Sequence, residues 1–149
     1  MDDIEYINKI VWWVEKGTLA GMPMPYLAPE RRLNQNGNRD AFKDDLPLLF
    51  KIGLRSVVCP LNLPSDEAIY KEAGFDLKDI YKFIKEASKG VVVNCEGGIG
   101  RTGTILAAYY IMDGLSLDHA ISKVRFAEPT AIESPEQFKF LENLSKVLH

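Results

Sequence analysis

The stretch "VVVNCEGGIGRTGTILAAYYIMDG", Val91 to Gly114, restricts the possible folds more than any other part of the chain. Three valines leading to Cys95 form a short β-branched run, which predicts a buried strand. Glycines at 97, 98, 100 and 103 then break the extended pattern, and an apolar helix follows that Gly114 closes. A strand that passes through a tight turn into a buried helix is the unit of a layered α/β domain.

The rest of the chain repeats that alternation. "KIVWWVEKGTLAGMP" reads as two short strands turning at Gly17, with Gly21 and Pro23 ending the second. On that strand Trp12 and Trp13 point to opposite sides, one of them toward the core. A long polar loop follows, "YLAPERRLNQNGNRD", of the length that usually shapes a functional entrance. Asp44 is placed to cap a short helix with Pro47 in its first turn, ending before Gly53. "RSVVCPL" reads as a strand buried in a parallel sheet. Ser65 caps "DEAIYKEA", which stops at Gly74. Asp76 then caps a helix carrying Leu77, Ile80, Tyr81 and Ile84 on one face, with Phe75 stapled to Ile80. Ser116 opens "LDHAISKVRF", and "SPEQ" sets Ser134 as cap, Pro135 first and Gln137 third before "FKFLENLSKVL". The prediction is a single α/β domain over residues 1–149, with a short, mainly parallel central sheet flanked by helices.

Composition narrows the partners. A net charge of −3 argues against a nucleic-acid binder, and no apolar run approaches the roughly 20 residues of a membrane span. The acidic start "MDDIEYINKI" lacks the order of a signal peptide. Two cysteines are too few for a disulfide scaffold or a cysteine-rich metal site. The expectation is a cytoplasmic monomer without metal or cofactor.

The loop after Cys95 lies between the C-terminal end of a strand and the N-terminus of a helix, where α/β sheets bind ligands and backbone amides favour an anion. Its glycines let the chain turn tightly and aim amides inward. Arg101 adds a planar fork that matches two phosphate oxygens. A thiol at Cys95, under that positive nest, has its pKa lowered, and Thr102 can donate a hydroxyl to the thiolate. These parts agree on one task, attack at the phosphorus of a bound phosphoester to form a phosphocysteine. The blander readings fit less well. Cysteine after valines is usually core, which is the reading for Cys59. A nucleotide-binding Walker loop needs lysine where Arg101 stands.

"CEGGIGRT" resembles the signature loop of the cysteine-dependent protein tyrosine phosphatases, most nearly their small dual-specificity-like branch. "WWVEKGTLAGMPMPY", "IGLRSVVCPL" and "AIESPEQFKFL" resemble further segments of that branch, so the likeness covers most of the chain. It implies Cys95 as nucleophile, Arg101 as phosphate binder, Thr102 assisting the second step and Gln137 positioning the hydrolytic water. The amides of Glu96, Gly97, Gly98, Ile99, Gly100 and Arg101 would cradle the phosphate oxygens. The substrate implied is a phosphorylated protein or an aryl phosphate.

Three departures qualify that likeness. Asn94 stands where the family usually has histidine. The segment from Gly74 into the Asp76 cap leaves no room for the family's strand and loop with an aspartic general acid, so the sheet is expected to lack one edge strand. Glu133 and Asp66 are the candidate replacements for that acid, though solvent exposure or helix capping explains each equally well. Glu128 replaces a second arginine frequent in relatives, and Arg125 either faces the pocket or makes an ordinary helix salt bridge. His119 and His149 have little support as a dyad or a metal site, and Cys59 is a candidate disulfide partner of Cys95. Weak phosphatase activity follows from a missing acid. The competing readings are a pseudophosphatase module that binds phosphorylated partners, and a sulfur-transferring, rhodanese-like domain.

Overall fold

The computed structural model describes residues 3–23, 47–58, 77–95 and 100–148. Helix α1 (Asp3–Ile10) leads into strands β1 (Trp12–Glu15) and β2 (Leu19–Pro23). Helical residues 47–51 precede β3 (Ser56–Val58), α2 (Leu77–Ala87) and β4 (Val91–Cys95). Three helices complete the chain: α3 (Gly100–Met112), α4 (Leu117–Ala127) and α5 (Pro135–Leu148).

The strands form one sheet in the order β1-β2-β4-β3. β1 and β2 are an antiparallel hairpin, whereas β4 runs parallel to both β2 and β3. Two of the three pairings are therefore parallel, as the strand–helix alternation requires. The hairpin register shifts between Trp13 and Glu15, a one-residue bulge that strengthens the local twist.

Alternation along the strands splits the core in two. Val91, Val93 and Leu19 point to one face, where α2, α3, α4 and α5 bury Ile84, Ile105, Leu106, Ile111, Val124 and Leu141. Val92, Ala20 and Met22 point to the other, covered by Ile7 and Val11 of the first helical segment and by Leu49 and Leu54. Trp12 packs on the first cluster and Trp13 on the second, so both rings serve a core rather than one. The Trp12 ring lies against Gly21, its register partner, where an added Cβ would come within 2.3 Å of the indole.

α3 is the hub. Ten of its thirteen residues are buried, on every side of the helix, because it runs between the sheet and α4 and α5. Its far end is tied by a polar cluster. The Tyr110 hydroxyl donates to Glu15 Oε1 at 2.9 Å, and Lys123 pairs with the same carboxylate at 2.9 Å. Burial pushes the Tyr110 phenol well above its usual range, and the Glu15 bond adds to that.

The N-terminal segment differs from expectation. Ile4, Ile7 and Val11 follow helical spacing, and the chain up to Ile10 is helix, so the first strand begins only at Trp12. β3 is shorter than the predicted "RSVVCPL". The predicted caps Asp44, Ser65 and Asp76, the "DEAIYKEA" helix, Cys59 and its pairing with Cys95 lie outside the described residues. No helix among the described residues is long and apolar enough to cross a membrane.

Candidate active site

β4 lies between β2 and β3 and ends at Cys95, with Asn94 in register with Met22 and Cys95 with Pro23. α3 begins at Gly100, so the chain passes from strand end to helix start through residues 96–99. Those four, Glu96 to Ile99, lie outside the described residues, as does Asp66. The first turn of α3 carries Gly100, Arg101 and Thr102 and no acidic side chain, which leaves its amides and dipole available to an anion.

Arg101 is half-buried at that turn. Thr102 is fully buried, and its Oγ1 has no hydrogen-bond partner; among the described residues it is the buried side-chain polar atom in this condition. Burying a hydroxyl unpaired costs roughly 1–3 kcal/mol, which marks the position as one that awaits an acceptor. Thr104, one turn on, behaves ordinarily: its hydroxyl donates to the Gly100 carbonyl at 2.8 Å.

The "SPEQ" segment reaches the same turn from the other side. The Gln137 amide N–H donates to Ser134 Oγ at 3.1 Å, the cap expected from the sequence. In return Gln137 Oε1 accepts from the backbone N–H groups of Glu133 at 2.8 Å and Ser134 at 3.2 Å. Two backbone donors identify that atom as the oxygen and leave Nε2 as a donor toward the site. A Cβ built on Gly100 would lie 3.0 Å from Gln137 Nε2 and 2.6 Å from Glu133 Oε1. Both side chains therefore converge on the start of α3, and a side chain at position 100 would have to displace their ends.

Arg125 neither faces the pocket as a free fork nor forms the expected salt bridge. Its Nε donates to the Ala131 carbonyl at 3.0 Å and Nη2 to that of Ile132 at 3.1 Å. Glu128 accepts from the Thr130 hydroxyl at 2.6 Å, so its charge is engaged within its own turn. Nothing in the sequence pattern signals this clasp, because Ile132 has φ of +63°, a left-handed backbone that a β-branched residue rarely adopts. His119 is exposed, its backbone N–H bonded to the Ser116 cap at 3.2 Å, and no group of metal-ligating side chains occurs among the described residues.

The turn also seats against α3. A Cβ on Gly103 would approach Ala131 Cβ to 2.7 Å and the Ile132 nitrogen to 3.2 Å. Gly103→Ala is expected to lower stability by about 1–3 kcal/mol through overpacking, despite alanine's better helix propensity. Thermal unfolding checks this, a fall in Tm of about 2–4 °C per kcal/mol being the expected scale.

A family profile described as "Tc-R-P: Polymorphic toxin system, DSP-PTPase phosphatase" matches residues 38–115. The tyrosine-protein phosphatase cdc-14 of Caenorhabditis elegans is 30% identical over 105 residues, 58% of this chain and 15% of that protein. The chain spans well under half the length of the curated relatives it matches. Among solved structures, Tk-PTP in its active form is 27% identical with a TM-score of 0.59, over 92% of this chain and 97% of that one. Human DUSP28 shares the fold at 17% identity and a TM-score of 0.64, over 93% and 95% of the two chains.

Proposed function

Because the chain belongs to the DSP-PTPase phosphatase family of polymorphic toxin systems, we propose that it hydrolyses aryl phosphates, phosphotyrosine above all, through a phosphocysteine on Cys95. One observation carries this reading. The unpaired, fully buried Thr102 hydroxyl stands in the first turn of the helix that follows β4, where the Cys95 thiolate would be its acceptor.

In the first step the Cys95 sulfur attacks phosphorus, the S–P bond forms, and the P–O bond to the phenol breaks. The loop amides from Glu96 to Arg101, with the Arg101 fork, hold the three equatorial oxygens as charge spreads onto them. The departing phenolate takes a proton from a carboxylic acid, Glu133 or Asp66 being the candidates. Glu133 has the geometric support of its carboxylate oxygen beside Gly100. In the second step water attacks phosphorus, the S–P bond breaks, and inorganic phosphate leaves. Gln137 Nε2 orients the water, and the Thr102 hydroxyl stabilises the departing thiolate.

The test compares p-nitrophenyl phosphate, whose leaving group needs no proton, with phenyl phosphate, whose leaving group does. The first is expected to be cleaved, and the second about 10²–10⁴-fold more slowly, since Glu133 and Asp66 would donate from other positions than the family's aspartate and less effectively. Equal cleavage of both would assign an effective acid, and Glu133→Gln and Asp66→Asn would then locate it. Cleavage of neither, alongside tight phosphopeptide binding, would overturn the enzyme reading in favour of a phosphopeptide-binding module.

A further inference from the structure

Arg125 sits in the last turn of α4, outside the loop and the capping box, yet it governs how the two meet. Its Nε and Nη2 are both committed to carbonyls, those of Ala131 and Ile132. Ile132 itself has φ of +63°, in the left-handed region. A β-branched residue there costs about 1–3 kcal/mol and persists only where its surroundings over-determine it. The surroundings here are the two guanidinium bonds, the Ala131 N–H to Glu128 carbonyl bond at 3.0 Å, and burial of the Ile132 side chain. The next residue is Glu133, whose N–H is held by Gln137. A continuous path of bonds thus runs from the guanidinium, through a strained residue, to the two side chains that overhang Gly100.

We infer that Arg125 is a positioning residue for the second chemical step, the opening of the phosphocysteine by water. The inference rests on the phosphocysteine reading above. The groups assigned to the first attack belong to the β4–α3 connection and the first turn of α3, which meets the 128–133 turn by packing at Gly103. The group assigned to the water is Gln137, whose Oε1 is held by the backbone N–H groups of Glu133 and Ser134 where that turn ends. Arg125 cannot serve as a second phosphate clamp with the same two nitrogens without releasing the carbonyls they hold. Its contribution is therefore geometric: it keeps the turn in a conformation that the Ile132 backbone alone would leave. Displacements of about 1 Å originating away from the reacting atoms are worth up to about 10²-fold in rate.

The experiment follows protein-bound phosphate directly. The full chain is mixed with stoichiometric radiolabelled p-nitrophenyl phosphate, chased with excess unlabelled substrate and quenched in acid over time. This substrate keeps proton donation out of the first step. In Arg125→Met the label is expected to appear at the unaltered rate and to decay about 10²-fold more slowly. Arg125→Lys, able to satisfy one carbonyl at most, should fall between. A first-order decay constant does not depend on how much of the protein is folded, so a destabilised variant still answers the question. Decay at the unaltered rate in Arg125→Met would overturn the inference. So would equal slowing of formation and decay, since that describes a residue supporting the site as a whole. If the unaltered chain turns over but binds no label, while Cys95→Ser is equally active, the phosphocysteine reading itself has failed and takes this inference with it.

Discussion

Cys95→Ser is expected to reduce hydrolysis of p-nitrophenyl phosphate by about 10⁴–10⁶-fold, the scale on which loss of the nucleophile falls in covalent enzymes. The reason lies in ionisation. In the proposed chemistry the thiol at the end of β4 is the group ionised under the loop amides and attacking phosphorus. A serine hydroxyl in the same cradle stays protonated, and the buried Thr102 hydroxyl would then meet a neutral partner. Binding should survive, because the amides and Arg101 are untouched. Inhibition by inorganic phosphate or vanadate, measured by displacement of a labelled phosphopeptide, should therefore change far less than turnover. Residual turnover within tenfold of the unaltered chain would remove Cys95 from the chemistry.

Arg101→Ala is expected to cost about 10³–10⁵-fold in kcat/KM, as loss of a transition-state arginine does elsewhere in phosphoryl transfer. Arg101 is half-buried in the first turn of α3, with its backbone fixed by the helix, and its planar fork is suited to two phosphate oxygens. Arg101→Lys keeps the charge but loses the planar pair of donors, and should recover only part of the activity. Thermal stability should stay near that of the unaltered chain, since the residue lies at a helix start rather than among the apolar clusters. A parallel fall in activity and Tm would instead make Arg101 a structural residue.

Some of this architecture was legible in the residues and some was not, for identifiable physical reasons. The β4–α3 junction was legible because two periodicities meet there: three valines that only a strand buries well, then an apolar helix behind a glycine run. The "SPEQ" box was legible because a capping box is local, written within four consecutive residues, and the Ser134–Gln137 bonds realise it. α1 was less legible because it spans only eight residues before the strand, although Ile4, Ile7 and Val11 carry the helical period. The reach of Glu133 and Gln137 to Gly100 depends on the turn at residues 128–133, and that turn runs against propensity. Ile132 prefers extended backbone, and it is held elsewhere by its burial, by the Ala131–Glu128 bond and by the tertiary contact from Arg125. A local rule broken beside a site is where single-sequence reasoning is expected to fail.

The burial of α3 on all sides separates what this scaffold can vary from what it cannot. Almost every substitution along that helix is felt by the sheet, α4 or α5 at once, so the element that aims the anion site tolerates little drift. The capping segment ahead of α5 is different, for Glu133, Pro135 and Glu136 are exposed. Divergence in activity among chains of this design should accordingly accumulate in that short segment, where a change of side chain alters the chemistry without taxing the interior. A directed-evolution library confined to residues 133, 135 and 136, sparing the Ser134 cap, would explore catalytic variation at almost constant folding free energy, an independence seldom available so close to a reacting centre.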